Sequence, residues 1–380
     1  MWGEKCRNWQ AHMLMTSRRE HMSDDKMEVV VGCYEQMLLG FRLVEGEEEH
    51  KLEPTFTDNS HTGCVKVVAS GGHVLASGST DETIHLYNME SRTELGTLLQ
   101  HDGSITCLQF YDSSHMLSGA EDGSMCVWQT GTWECLKSMR GHKGGINSLS
   151  VHPSGKLALS VGKDKTIRTW NLVTGRPAYT TNIKQVADLI HWSPKGDMYA
   201  VVTGNKISVY RLETAGLKCS LDAGRKVLTM AYITNTVLAV AGEDKNIQLL
   251  NVETGTCACD FPAHDNRIKS LVCVRDHRSD ARETDLLMVS ISSDGYIKVW
   301  AFSTDQLEKT PTLVAQHNTT ARLTALAIVT AQSTEPQRST TKTAQEKRKL
   351  TEQKEAEQTA EKRKNVKEKK GGKKKLKVKN

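Results

Sequence analysis

Seven segments of this 380-residue chain close on one phrase: a turn of Gly, Ser and Asp, then alternating apolar residues, then an aromatic or apolar end. The clearest copies are Ser118-Gly-Ala-Glu-Asp122-Gly-Ser-Met-Cys-Val-Trp128, Ser160-Val-Gly-Lys-Asp164-Lys-Thr-Ile-Arg-Thr-Trp170 and Ser290-Ile-Ser-Ser-Asp294-Gly-Tyr-Ile-Lys-Val-Trp300. In each, Ser stands four residues before Asp, and Trp six after it. Ser77, Asp81 and Tyr87 keep the spacing with Tyr in place of Trp. The closing residues Phe41, Tyr87, Trp128, Trp170, Tyr210, Leu250 and Trp300 fall at intervals of 46, 41, 42, 40, 40 and 50 residues. A strand-rich unit repeating about every 40 residues cannot bury its apolar face alone and must stack on its neighbours. The pattern predicts an all-β, seven-bladed β-propeller over residues 27–330.

Two copies are degraded. Val202-Thr-Gly-Asn-Lys-Ile-Ser-Val-Tyr210 lacks the turn Asp, and Val240-Ala-Gly-Glu-Asp244-Lys-Asn-Ile-Gln-Leu-Leu250 has Val where Ser belongs. The two ends of the repeat region are each incomplete. Val31-Gly-Cys-Tyr-Glu35-Gln-Met-Leu-Leu-Gly-Phe41 reads as the two middle strands of a blade with no first strand before them. Residues 321–328, Ala-Arg-Leu-Thr-Ala-Leu-Ala-Ile, read as a first strand with nothing after it. The fragments are expected to complete one blade, which leaves no open sheet edge at the seam.

A histidine precedes each good copy: His61, His101, His142 and His264, with His317 before the closing strand. The repeated types predict a buried relay in which Asp accepts from His and from turn amides, His meets the Ser hydroxyl, and Ser accepts the indole N–H. Buried polar groups persist when they are satisfied in this way. The expected members are His61, Ser77, Asp81 and Tyr87; His101, Ser118, Asp122 and Trp128; His142, Ser160, Asp164 and Trp170; and His264, Ser290, Asp294 and Trp300. A hydrolase triad uses the same residue types, but a triad occurs once and this set recurs with the blades.

The chain carries net charge +5, and no apolar run reaches the ~18 residues of a membrane span. The first residues lack the apolar stretch of a secretory signal. Ten cysteines show no metal spacing, and Cys257-Ala-Cys259 is too tight for the usual pair; they read as reduced thiols of an intracellular protein. Charge is uneven. Residues 341–380 hold 16 Lys and Arg against 6 Glu, a net of +10, which leaves −5 on the rest. That segment has too few apolar residues to fold alone, so 331–380 is expected to be a disordered basic tail and 1–26 a disordered extension. Lys373, Lys374, Lys375, Lys377 and Lys379 are its densest cluster, suited to a nuclear or nucleolar address or to RNA contact; a merely solubilising tail is the alternative.

No set of residues points to catalysis, to a metal or to a cofactor. Gly162-Lys163 is followed by Asp164 and lacks the earlier glycine of a phosphate loop, so it is a turn of the repeat. Trp133, Trp192 and Tyr111 lie off the repeat phase, as inter-blade packing or as partner anchors. A propeller without a catalytic cluster presents loops to partners. By repeat phase Lys66, Lys163, Lys226, Arg267, Lys269 and Arg322 are expected on one face, as a basic ring suited to an acidic peptide or to RNA phosphate. The alternative is a solvated face of unpaired charges.

Certain phrases go beyond the generic repeat. Met27-Glu-Val-Val-Val-Gly-Cys-Tyr-Glu-Gln, Gly78-Ser-Thr-Asp-Glu-Thr-Ile-His-Leu-Tyr87, Leu117-Ser-Gly-Ala-Glu-Asp-Gly, Trp133-Glu-Cys-Leu-Lys-Ser and His152-Pro-Ser-Gly-Lys-Leu-Ala-Leu-Ser-Val-Gly162 resemble the p21-activated-kinase-interacting WD-repeat proteins of vertebrates. Asn171-Leu-Val-Thr-Gly-Arg and Ser292-Ser-Asp-Gly-Tyr-Ile-Lys-Val-Trp300 extend the resemblance, which covers about residues 27–328 and the Lys-rich character of the tail. Residues 1–26 fall outside it, as an alternative start or an extra leader. The resemblance implies a non-enzymatic scaffold with two roles. One is to bind the N-terminal regulatory region of PAK-type kinases and restrain them. The other is to act in the nucleolus in large ribosomal subunit maturation, with pre-ribosomal proteins and possible rRNA contact through the tail. The basic tail suits the second role better. A substrate-receptor subunit of an E3 ubiquitin ligase is the alternative from another class, and no adaptor-type segment flanks the repeats to favour it.

Overall fold

Each repeat breaks into short strands because β-branched, Leu and aromatic residues alternate with polar ones between Gly, Asn and Asp turns. The computed structural model describes residues 27–44, 46, 50–276, 281–282 and 284–330. Within them 28 strands form seven antiparallel four-stranded sheets. Six sheets run in chain order and are blades two to seven: residues 65–98, 105–140, 146–182, 189–222, 227–262 and 268–318. The seventh, the closing blade, joins the two ends of the repeat region. Leu323–Val329 is its innermost strand, beside Glu28–Cys33, then Leu38–Val44 and Lys51–Asp58. Val29 lies opposite Ile328 and Val31 opposite Leu326, so the two incomplete fragments of the sequence share one sheet. The expected extensions 1–26 and 331–380, with the Lys373–Lys379 cluster, lie outside the described residues.

The innermost strands pack in a closed cycle, each against the next, and Leu323–Val329 sits between blades seven and two. Burial peaks at the second strand of a blade and is lowest at the outermost. Val74–Ser79 is buried throughout, whereas the outermost strand Arg176–Asn182 is exposed throughout. The core lies between blades: Ala76 and Leu86 of blade two meet Ile105 and Trp128 of blade three. Gly78 is needed for that approach, since a Cβ there would stand 2.5 Å from the Ile105 side chain. The residue after the turn Asp takes positive φ, +78° at Gly123 and +87° at Gly295, which is why Asp-Gly recurs; Glu82 and Lys165 hold the same conformation at a steric cost.

Candidate protein-interaction face

The sequence-predicted polar sets converge at the turn end of their blades, with differing geometry. In blade four, His142 Nδ1 donates to Asp164 at 3.0 Å, Ser160 donates to His142 Nε2 at 2.7 Å, and Trp170 Nε1 donates to Ser160 at 2.8 Å. Asp164 also accepts from the Lys143 and Thr166 amides and the Thr166 hydroxyl. Burial alone would raise this carboxyl; the Lys143 amide, Thr166 and His142 overcome it and hold Asp164 at about 2. In blade two, His61 joins Asp81 at 2.9 Å and Ser77 at 2.8 Å, but the Tyr87 hydroxyl donates to Asp58 at 2.9 Å. A phenol reaches farther than an indole N–H, and its single proton goes to the carboxylate.

Blade three inserts a hydroxyl. His101 Nδ1 meets Ser124 at 2.9 Å, Ser124 donates to Asp122, and the direct distance from His101 to Asp122 is 3.6 Å. Ser118 bridges His101 and Trp128 at 2.7 and 2.8 Å. In blade seven, Ser290 meets His264 at 2.8 Å and Trp300 at 3.0 Å, while His264 Nδ1 stands 3.4 Å from Asp294 without a hydrogen bond. Burial lowers His61, His101, His142 and His264 below the ordinary histidine value, His264 to about 4, so all four rings are neutral near pH 7.

The other three blades fill the same places mostly with apolar groups. By register Val201 and Tyr210 in blade five, and Val240 and Leu250 in blade six, replace Ser and Trp; Ile183 and Ala223 pack with them. In the closing blade the pair is Val31 and Phe41. His317 does not occupy a relay position. It lies within the outer strand Thr312–Asn318 of blade seven, its ring 4.7 Å from that of Phe41. The off-phase aromatics pack internally: Trp133 on Phe110, Trp192 between His152 and Tyr199, and Tyr111 against the cluster around Trp170.

A feature that sequence reading missed organises the face. The innermost strand carries a one-residue bulge in six blades, at Lys66, Thr106, Asn147, Leu228, Lys269 and Thr324. Asp188 precedes the short strand Leu189–Trp192 at the matching place in blade five. A bulge re-aims its side chain, and three of these close onto the next blade. Thr106 donates to the Ile146 carbonyl at 2.7 Å, Asn147 to Ala187 at 2.8 Å and Thr324 to Val65 at 2.6 Å. The sequence signal was available: four of the bulged residues, Lys66, Thr106, Asn147 and Lys269, lie five residues after a relay histidine.

The six sequence-predicted cations separate into two groups. Lys163 pairs with Glu121 at 3.0 Å and Lys226 lies 4.0 Å from Asp188. Lys66, Arg267, Lys269 and Arg322 gather where blades seven, closing and two meet. Lys269 and Lys66 sit at bulges on either side of Thr324, and Arg267 and Arg322 each stand one residue before the innermost strands Ile268–Arg275 and Leu323–Val329. Burial, and then the charges of Arg267, Arg322 and Lys66, lower the Lys269 ammonium below the ordinary lysine value. Arg267 Nε donates to Ser293 at 3.1 Å, and the Arg322 guanidinium lies 5.0 Å from the centre of the half-exposed Tyr34 ring. The Glu35 carboxylate accepts from the Arg322 amide at 3.3 Å, but among the described residues none of these four side chains makes an ion pair, no set of three or more His, Cys, Asp or Glu side chains is placed to hold a metal, and no helix is long and apolar enough to cross a membrane. The nine described cysteines are free thiols.

Recurrent relays that serve the blades, and a face of loops and bulges around the axis, define a non-enzymatic WD-repeat scaffold. The family model "WD domain, G-beta repeat" matches residues 52–88, 92–129 and 133–171, and the "Anaphase-promoting complex subunit 4 WD40 domain" model matches 190–275. The chain is similar to a p21-activated protein kinase-interacting protein 1-like protein of Danio rerio, 47% identical over 80% of this chain and 81% of the relative. Its counterpart in Gallus gallus is 47% identical over 81% of this chain and 82% of its own length. More distantly, it is similar to the Shk1 kinase-binding protein 15 of Schizosaccharomyces pombe, 26% identical over 77% of this chain and 80% of the relative. The chain belongs to the family of p21-activated protein kinase-interacting protein 1-like WD-repeat proteins.

Proposed function

We propose that this propeller works in the nucleolus in maturation of the large ribosomal subunit, and that it also restrains PAK-type kinases by binding their N-terminal regulatory region. The observation that carries the kinase role is its similarity, across about four-fifths of its length, to relatives whose names state kinase interaction. The ribosomal role is supported by the basic segment 341–380, with its net charge of +10 on a chain otherwise at −5. The kinase contact belongs to the propeller and nucleolar retention to the basic segment. The E3-receptor reading is supported only by the match over 190–275, which covers strands of blades five to seven and speaks to the fold.

Affinity purification of the tagged full chain, beside one lacking 341–380, tests both roles. The full chain is expected to recover pre-ribosomal proteins and a PAK-type kinase. The shortened chain is expected to leave the nucleolus and to bind RNA with a shallower salt dependence, because counterion release scales with the phosphate contacts made, while keeping the kinase. Recovery of ligase subunits in place of both partners would overturn the reading. Unchanged nucleolar retention of the shortened chain would remove the segment's role.

A further inference from the structure

We infer that Lys66, Arg267, Lys269 and Arg322 form a docking site on the bulge face, where blades seven, closing and two meet, for an acidic peptide segment of a protein partner, with an anionic side chain received between the two bulged lysines. This goes beyond the function proposed above and holds for whichever protein carries the segment.

The bulge ring makes the argument. Around the axis, Thr106, Asn147 and Thr324 spend their side chains on the carbonyl of the neighbouring innermost strand. Lys66 and Lys269 occupy equivalent bulges, yet among the described residues they make no such bond to a neighbouring strand and no ion pair; the Glu35 carboxylate, which accepts from the Arg322 amide at 3.3 Å, borders the group. They flank Thr324, whose hydroxyl ties the closing blade to blade two, so the two ammonium groups are borne by a fixed frame. Arg267 and Arg322 stand one step outward on the same strands. Four cations beside a single carboxylate still carry an excess of positive charge and raise one another's energy, and the Lys269 ammonium is lowered first by burial and then by Arg267, Arg322 and Lys66. An anion entering the group relieves it.

A peptide fits better than a nucleic acid. The four positive charges converge on three adjacent blades; they do not form the extended track that successive phosphates require. Beyond them the same end of the propeller carries exposed Asp102, Glu121, Glu243 and Asp265, which confine the favourable contact to a short anionic stretch and disfavour a long polyanion of either kind. Tyr34, 55% exposed and stacked on Arg322, adds the Tyr-and-Arg composition that dominates protein interfaces. Lys163 and Lys226 fall outside the site because each has its own carboxylate.

The test is a lysine acetylation footprint of the full chain, read residue by residue by mass spectrometry. The probes are a blocked peptide of alternating Glu and Asp and a short oligouridine. The peptide is expected to slow acetylation of Lys66 and Lys269 several-fold, to leave Lys163 and Lys226 unchanged, and to act at lower concentration than the oligouridine. Arg267→Ala with Arg322→Ala should weaken that protection while the melting temperature stays near that of the parent. Absent protection, equal protection of all four lysines, or protection at lower concentration by the oligouridine would each overturn the assignment. Kinase recovery is scored separately, so failure here and failure of the proposed function remain distinct.

Discussion

Arg92 holds Glu28 through two parallel bonds, Nη1 to Oε1 at 2.8 Å and Nη2 to Oε2 at 2.7 Å. Glu28 opens the strand Glu28–Cys33 of the closing blade and is 2% exposed; Arg92 lies in the turn before the outermost strand Thr93–Leu98 of blade two. The Thr55 hydroxyl donates to the same carboxylate, and the guanidinium lies 5.5 Å from the centre of the Phe56 ring. The pair therefore ties the blade that closes the ring to the blade beside it.

Removing one partner of a buried pair strands the other charge. Arg92→Ala is expected to cost about 3–5 kcal/mol in urea denaturation, because Glu28 loses its counter-ion while staying buried. Glu28→Met combined with Arg92→Leu should recover most of that loss, since neither charge is then left behind. A double variant as weak as the single one would show that the pair matters through packing and not through charge.

Asp164 and Asp244 stand at the same turn position of different blades and should behave differently. Asp164 accepts from His142, the Lys143 amide and Thr166, whereas Asp244 accepts from the Lys245 amide beside it. Asp164→Ala leaves His142 and two turn amides unpaired, at a cost of roughly 2–4 kcal/mol. Asp244→Ala removes one exposed contact and should cost well under half as much. Chemical denaturation of both variants decides it, and equal losses would refute the relay argument.

The repeat phase and the shared closing blade were legible because strand periodicity and turn residues are local signals. The phrase from Val31 to Phe41 showed a missing partner strand, and the residues of Leu323–Val329 supplied one. What escaped depended on three-dimensional register. Val201 with Tyr210, and Val240 with Leu250, read as decay of a motif, yet each pair fills the relay site as an apolar plug. His317 carried the right residue type two positions from the place that closes a relay, and it stacks on Phe41 instead. Phase placed six cations on one face but could not show that Glu121 and Asp188 reach Lys163 and Lys226 from neighbouring blades.

The relays also set a direction for pH dependence. His264 falls from an ordinary 6.5 to about 4, and His61, His101 and His142 are lowered too, with burial the largest cause in each. The unfolded chain then binds protons more readily than the folded one. Stability is full above about pH 6.5 and declines as pH falls toward the folded values. Asp164, held at about 2, adds a second loss below about pH 4. The urea midpoint should drop between about pH 7.5 and about pH 5, and His264→Gln should make that drop shallower. A midpoint indifferent to pH across that interval would mean the buried rings do not govern acid stability.

Ring closure can be tested by removing one strand. A chain ending at Asn318 keeps all of blade seven but loses Leu323–Val329. The strand Glu28–Cys33 then has no partner on its inner edge, and two ties to blade two vanish: Thr324 to the Val65 carbonyl at 2.6 Å and Ser70 to the Ile328 carbonyl at 2.6 Å. The exposed edge is apolar, with Val29, Val30 and Val31 freed of cover, and such an edge pairs with other chains. A chain ending at Thr330 keeps every one of these contacts. The shorter chain should lose its cooperative thermal transition and elute as aggregate in size-exclusion chromatography, while the longer one melts close to the full chain. Matching melts for the two would mean that the ring stands without its last strand, and that the Glu28–Arg92 pair and the remaining blades close it by packing alone.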